Sequence, residues 1–242
     1  MSKDLEPDLL QSYKRWQERI KPLSSWLQFS LLVLILLAGC LWLNAQQRQN
    51  YLALSSQQHE IAVDQQRDQL LTNYIHSITD LLLYADLLHA KASDVKKLVA
   101  DAHTKETLRA LDPSRKASLM RFLFQTRLIN NDVHVIDMAE TDLHGAAMSD
   151  IDIRDTYLVG ANISSADLRH ANLSFATLVF TNLSSADLRH ANLEASDMRN
   201  TNLSVANLAG ANLKDVIGIT SAQLAKAKSL AGTTMPDGSK HS

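Results

Sequence analysis

The ten residues SSADLRHANL occupy positions 164–173 and return unchanged at positions 184–193. Within each copy, a unit of Ala, then Asp or Asn, then Leu comes back after five residues. A period of five matches neither the α-helix, at 3.6 residues per turn, nor the β-strand, at two. Sequence similarity at a fixed period of twenty residues is instead typical of a solenoid, in which each coil repeats the one before.

The five-residue period continues far beyond these two copies. A large apolar residue stands at every fifth position, sixteen times without interruption: Met138, Leu143, Met148, Ile153, Leu158, Ile163, Leu168, Leu173, Leu178, Leu183, Leu188, Leu193, Met198, Leu203, Leu208 and Leu213. Val133 extends the series backward. The residue two positions earlier is small in nearly every repeat, with Ile136 and Ile151 as departures.

This pattern predicts a chain that turns a corner every five residues. Each short side points one large and one small residue inward, so that four sides close a square coil of twenty residues. Sixteen repeats then make four coils, which at the strand spacing of about 4.8 Å form a rod roughly 20 Å tall. Asn, Asp and Ser at the remaining positions suit the corners, because their side chains bond local backbone.

The Ala-(Asp/Asn)-Leu-x-x run resembles the pentapeptide-repeat family. The resemblance implies a right-handed quadrilateral β-helix and implies no activity. The segments from Leu111 to Lys116, from Arg121 to Phe124 and from Gly218 to Leu224 are similar to bacterial membrane-anchored members that carry a helical region before the repeats.

The N-terminal part has a different character. No charged residue occurs between Lys21 and Arg48, and residues 26–43 are almost wholly apolar, with Trp26 and Trp42 at the two ends. Eighteen helical residues span roughly 27 Å, close to the thickness of the hydrocarbon layer. The sequence therefore predicts a transmembrane helix over 26–43 and a single-pass protein of the bacterial cytoplasmic (inner) membrane.

The residues before this segment are basic, and an excess of Lys and Arg predicts a cytoplasmic N-terminus, whereas the side that carries the repeat domain stays open. Residues 1–25 form a basic amphipathic segment, in which Pro22 is expected to end a helix. Two alternatives remain: the apolar run is a buried core helix, or residues 37–40 (Leu-Ala-Gly-Cys) are a lipoprotein box with a lipidated Cys40.

Five regions follow from these patterns. They are the basic segment (1–25), the transmembrane helix (26–43), a helical stalk and helical domain (44–130), the repeat β-helix (131–216), and a capping helix with a tail (217–242). Apolar residues at helical spacing, such as Tyr74, Ile78 and Leu82, predict the core of the helical domain, and Leu98, Val99 and Leu108 mark the buried side of its next helix. The capping helix is expected over 221–230, where it would cover the open end of the solenoid.

No catalytic constellation is present in the sequence, so we expect no enzyme, no cofactor and no metal site. The single cysteine excludes an intramolecular disulfide. His170 and His190 are predicted to stack one coil apart, with Asp150 below them in the same column, but a solvated column that arose by duplication explains this arrangement better than a metal site.

The candidate interface is an outward-facing apolar group on the rod: Tyr157, Val159, Phe175, Val179 and Phe180. Exposed apolar clusters often mark interfaces, although cover by the helical region is the alternative. The leading functional hypothesis is a membrane-tethered scaffold that presents the rod to an unknown protein partner. Self-association into a homo-oligomer stays open, and no direct contact with nucleic acid is expected.

The second hypothesis is an acidic DNA mimic, an inhibitor or protector of a DNA-binding enzyme such as gyrase, as the family resemblance suggests. Residues 131–216 contain twelve Asp and Glu against five Lys and Arg, a net charge of −7. Such a charge repels DNA and attracts a basic groove. Four coils are nevertheless short for a mimic of a duplex.

Overall fold

The computed structural model describes residues 6–130 and 135–242, apart from the side chains of residues 6–10, 17, 19–25, 28, 31 and 32. The expected start of the repeats at Val133 lies outside these residues. The chain forms two compact units, residues 1–62 and residues 63–242.

Helix α1 (Glu6–Tyr84) is a single element of 79 residues that begins in the first unit and ends in the second. It continues through position 22, where the sequence predicted an end. A proline removes one intrahelical hydrogen bond, and here the turns on both sides maintain the helix. Every described side chain from Val33 to Ala62 is exposed.

The predicted membrane span is not supported. Across residues 6–130 and 135–242, no helix combines the length and the apolar character that crossing a membrane requires. The transmembrane helix over 26–43 and the inner-membrane localisation are therefore wrong predictions. A span needs about twenty consecutive, mainly apolar residues, whereas this run has eighteen, includes Gln28 and Ser30, and is followed by the polar stretch from Asn44 to Arg48.

The helical part of the second unit contains the end of α1, a 3-10 turn (Leu87–His89), α2 (Val95–Ala110) and α3 (Pro113–Gln125). Its core includes Tyr74, Ile78, Leu108, Leu119 and Leu123, all fully buried. The Tyr74 hydroxyl lies 2.7 Å from Thr104 Oγ1, and burial raises the pKa of Tyr74. This hydrogen bond satisfies the one polar atom that Tyr74 brings into the core.

Helix α3 begins with a capped first turn. Asp112 is its N-cap, and its side chain accepts hydrogen bonds from the backbone N–H groups of Ser114 and Arg115, while Pro113 occupies the first turn. The guanidinium of Arg115 also pairs with Asp112 (2.6 Å), Asp64 (2.8 Å) and Asp68 (2.8 Å). Arg115 therefore joins the start of α3 to the end of α1.

The repeats form the predicted solenoid. Single-residue parallel β-bridges join positions twenty residues apart, from Asp142 with Asn162 to Asp197 with Ile217. The sixteen large apolar residues all lie in the interior, at most 1 % exposed. The position two residues after each of them is in the left-handed conformation in all sixteen repeats, from Glu140 to Asp215. This residue turns the corner, which is the physical basis of the five-residue period.

The helical part covers the first coil. Lys116 Nζ donates to the carbonyl of His144 (3.2 Å) and Arg121 Nη2 to that of Ser149 (3.3 Å), while the Ala147 N–H donates to the carbonyl of Pro113 (3.0 Å). The backbone N–H of Asp137 donates to Asp101 Oδ1 (2.8 Å). Backbone groups at the open end of the solenoid are thus paired by the helices and not left as free edges.

The C-terminal end is closed in another way. Helix α4 (Ser221–Leu224) has only four residues, so the expected helix over 221–230 was too long. Gln223 Nε2 donates to the carbonyls of Met198 (3.0 Å) and Thr201 (2.9 Å). Beyond the helix, Ser229 and Thr234 pair with the strand edges at Asn207 and Asn212 through parallel β-bridges, so extended backbone continues the ladder there.

Candidate functional site

The candidate surface is one face of the rod and its two corners. Phe175 and Phe180 occupy adjacent corners of one coil, both in the left-handed conformation (φ 61° and 59°). On the side between them, Ala176 and Leu178 point inward and are fully buried. Thr177 and Val179 therefore point outward, because side chains alternate along an extended strand.

The preceding coil continues this surface. Tyr157 pairs with Thr177 through a parallel bridge, which places Tyr157 and Val159 beside Thr177 and Val179. Phe175 is 55 % exposed and Phe180 is 63 % exposed, whereas Tyr157, Val159 and Val179 are half-buried by their neighbours. We call Tyr157, Val159, Phe175, Val179 and Phe180 the apolar face.

The conformation of the two phenylalanines carries an energetic cost. A non-glycine residue in the left-handed region costs roughly 1–2 kcal/mol relative to the right-handed one. Most other corners hold Gly, Asp, Asn, Ser or His, which are small or polar. Phe175 and Phe180 each bring a large apolar ring to such a position and leave more than half of it exposed. Because all sixteen corners share the left-handed conformation, the exposed aromatic rings, and not the backbone, distinguish these two corners.

A charged pair borders the apolar face. In the next coil, Arg199 Nη2 donates to Asp197 Oδ2 (2.6 Å), and this hydrogen bond lowers the pKa of Asp197. The same Asp-x-Arg arrangement pairs Arg154 with Asp152, Arg169 with Asp167 (2.7 Å) and Arg189 with Asp187 (2.7 Å). Four of the five basic residues of the rod are thus neutralised locally by an aspartate two positions earlier.

Two other outward columns have a structural explanation. Asn162, Asn182 and Asn202 form a ladder in which each side-chain amide donates to the carbonyl oxygen of the residue one coil earlier (3.3 and 3.1 Å). The Asn172, Asn192 and Asn212 ladder has the same pattern (3.2 and 3.0 Å). These ladders add to the pairing of successive coils and leave few side-chain donors for a ligand.

The histidine column is stacked as predicted. The rings of His170 and His190 lie 5.1 Å apart and almost parallel, at 8°. Among the residues that the structure describes, no group of three or more His, Cys, Asp or Glu side chains could hold a metal ion. The absence of a metal site, a cofactor or an activity remains a prediction.

Sequence reasoning missed a second exposed apolar surface in the helical part. Lys96 Nζ binds the carbonyls of Ala85 and Asp86 (2.7 and 2.8 Å) and thereby ties the start of α2 to the end of α1. Large apolar side chains at these two helix ends are exposed: Leu83, Tyr84, Leu88, Val95, Leu98 and Val99. Leu98 and Val99 fall on a stripe that the sequence assigned to the core, and periodicity alone could not separate them from the buried Leu108.

Comparison with known proteins identifies the repeats. The family model described as pentapeptide repeats matches residues 136–174 and 181–217 in eight copies. Residues 136–217 form a pentapeptide-repeat domain. The match lies within the repeats, so the resemblance of the helical part to membrane-anchored members has no support from it. No curated protein matches the chain.

Several solved structures are similar to this pentapeptide-repeat domain. HetL from the cyanobacterium Nostoc sp. strain PCC 7120, described as involved in heterocyst differentiation regulation, shares 37 % identity over 43 % of this chain and 48 % of its own (TM-score 0.31). Rfr23 from the cyanobacterium Cyanothece 51142 shares 28 % identity over 42 % of this chain and 65 % of its own (TM-score 0.20).

QnrB1, a plasmid-mediated fluoroquinolone resistance protein, shares 17 % identity over 41 % of this chain and 50 % of its own (TM-score 0.36). The chain therefore spans about half the length of HetL and of QnrB1. At this identity the likeness to QnrB1 concerns the fold alone.

Proposed function

We propose that the pentapeptide-repeat domain is a protein-binding module and that the apolar face is its contact surface. The observation that carries this proposal is the pair of phenylalanines, Phe175 and Phe180, whose large apolar rings are exposed at adjacent corners of one coil. The interior of the rod is fully used by packing, so specificity for a partner has to come from outward columns. Aromatic side chains are the usual anchors of protein interfaces.

The partner that fits this surface is a protein with a complementary apolar patch and a polar rim. The centre of the face is apolar, and the Asp197–Arg199 pair at its border is already satisfied within the chain. An interface with an apolar core and a polar rim is typical of specific protein complexes. Burying about 300 Å² of apolar surface there contributes roughly 7 kcal/mol before the costs of association.

An acidic DNA mimic is the second candidate function, and the charge of the rod is the observation that favours it. A duplex carries one negative charge per about 1.7 Å of axis, so a rod of about 20 Å needs roughly twelve exposed charges to match it. The net charge of residues 131–216 is −7, and four of their aspartates are paired with arginines. The charge density is lower than a mimic needs, so binding through the apolar face is the better supported function.

The test is affinity capture with a matched control on the same rod. We expect Phe175→Glu with Phe180→Glu to lose the proteins that the wild-type chain retains from its own cell extract. Ser165→Glu with Ser185→Glu is the control, because both serines are exposed corner residues with φ of 58° and 59°. This control variant adds the same charge at the same backbone conformation, and it should retain the proteins that the wild type retains.

Two results contradict the proposal. If both double variants retain the same proteins, the apolar face is not the contact surface. If the phenylalanine variant melts well below the control, the phenylalanines stabilise the fold and the loss of binding has another cause. Retention by both variants, together with an excess of basic proteins among those that the wild type retains, favours the acidic mimic, because added glutamates do not weaken attraction to a basic groove.

A further inference from the structure

The part of α1 from Val33 to Ala62 is a helical segment with large apolar side chains in contact with solvent. All thirty of its side chains are described and exposed, over a helix of about 45 Å. Tyr51, Leu54 and Ile61 are 72 %, 55 % and 50 % exposed. Helices in water obtain most of their stability from the packing of an apolar face, so this segment requires a partner.

The spacing of these residues indicates that the partner is another helix. Steps of three and four residues alternate along one side of α1 and define a seam of seven-residue repeats. One set of seam positions, a, holds Asn44, Tyr51 and Gln58, and the other, d, holds Cys40, Gln47, Leu54 and Ile61. Seam residues recur every 3.5 residues on average, and such a seam faces a second helix continuously when the two helices supercoil.

The charges of the segment lie away from the seam. Arg48 and Glu60 are the charged residues and His59 the one histidine between Lys21 and Ile61 in the sequence, and none of the three falls at an a or d position. Two copies of this seam can therefore approach each other without repulsion between like charges. A seam without charges also offers nothing that would select a partner of opposite charge.

The amides on the seam favour a second copy of the same chain. Asn44, Gln47 and Gln58 each carry both a donor and an acceptor, and a buried amide without a partner is costly. In a parallel pair in register, each amide faces the same amide of the other chain, which supplies both an acceptor and a donor. An Asn at an a position is known to set this register in two-stranded coiled coils.

We infer that residues 40–61 of α1 associate with the same residues of a second copy as a parallel, in-register, two-stranded coiled coil. The resulting dimer carries two pentapeptide-repeat domains, so a partner with two matching surfaces is bound with increased effective affinity. This inference does not depend on the apolar face of the rod.

Cys40 provides the test, because it is the single cysteine and lies at a d position. In the full-length protein, mild oxidation should produce a disulfide-linked dimer on a non-reducing gel. In a Cys40→Ser background, Leu54→Cys and Ile61→Cys lie on the seam, whereas Gln49→Cys and Ser56→Cys point away from it. We expect the seam cysteines to cross-link about tenfold faster, since a disulfide needs Cα atoms within about 7 Å.

Each other outcome overturns the inference. Equal cross-linking of seam and outward cysteines indicates non-specific clustering, and cross-linking of none of them excludes a parallel pair. A dimer mass for the oxidant-free protein without cross-linking at Cys40 excludes the parallel register. Leu54→Lys with Ile61→Lys should give a monomer. Phe175→Glu with Phe180→Glu should cross-link like the wild type. The coiled coil and the apolar face of the rod are therefore tested independently.

Discussion

The exposed part of α1 and the pentapeptide-repeat domain both contain many apolar residues, but they use them in opposite ways. In the repeat domain, the large residue of each repeat is buried, and the backbone of each coil pairs with the next. In α1, every side chain from Val33 to Ala62 is exposed. The difference shows that the spacing of apolar residues, more than their number, decides whether a segment builds its own core.

The largest expected effect separates these two regions directly. Leu188→Lys places a charge in the interior of the rod, where Leu188 is fully buried, and should unfold the repeat domain at a cost of several kcal/mol. Leu54→Lys makes the same change on the exposed helix and should leave the repeat domain intact. Amide hydrogen exchange followed by mass spectrometry reports on residues 143–213 and on α1 separately, and equal protection of residues 143–213 in both variants would contradict the assigned register.

A smaller loss of stability is expected in the helical part of the second unit, where no backbone ladder joins one helix to the next. Asp112→Ala removes the N-cap of α3 and should cost about 1–2 kcal/mol in urea unfolding at pH 7. Burial opposes ionisation of Asp112, but hydrogen bonds from Arg115 and from the backbone N–H groups outweigh it and lower its pKa.

The pH dependence follows from this direction. Because the native pKa of Asp112 lies below its unfolded value, its stabilising effect is present above the ordinary aspartate range and is lost as the pH falls through the native pKa. The difference between the wild type and Asp112→Ala should therefore shrink at acid pH. Asp112→Asn keeps the capping oxygen without the charge and should be intermediate at pH 7. If the wild type and Asp112→Ala differ in stability by the same amount at pH 7 and at acid pH, the ionised carboxylate is not what stabilises α3.

The smallest effect concerns the outside of the rod. Arg169 is bonded to Asp167 at 2.7 Å, but its side chain is 45 % exposed. Exposed ion pairs contribute little, so Arg169→Ala should change the free energy of unfolding by at most about 0.5 kcal/mol. Leu168→Ala, one position away and fully buried, should cost about 2–5 kcal/mol. Similar melting temperatures for these two variants would be incompatible with a rod in which Leu168 points inward.

Several features needed the structure because they depend on contacts between distant residues. Helical spacing placed Leu98 and Leu108 on one stripe, yet only Leu108 is buried. The tail was expected to be helical up to Leu230, but the strand edges at Asn207 and Asn212 pair with Ser229 and Thr234 instead. The apolar run over 26–43 predicted a membrane span, and no such helix is found among the described residues. In each case a local pattern was compatible with more than one environment.

The sequence by itself determined the solenoid, because a residue in the left-handed conformation at every fifth position turns the chain and brings each Leu-like side chain to the interior. It also determined which side chains of the rod point outward, since a shift of one residue within the five-residue period would move every large apolar side chain out of the interior. Only the tertiary structure decided how the two ends of the solenoid are closed, through contacts such as Lys116 to His144 and Gln223 to Met198. These contacts join residues 25 or more positions apart that share no repeat, so no local period could predict them.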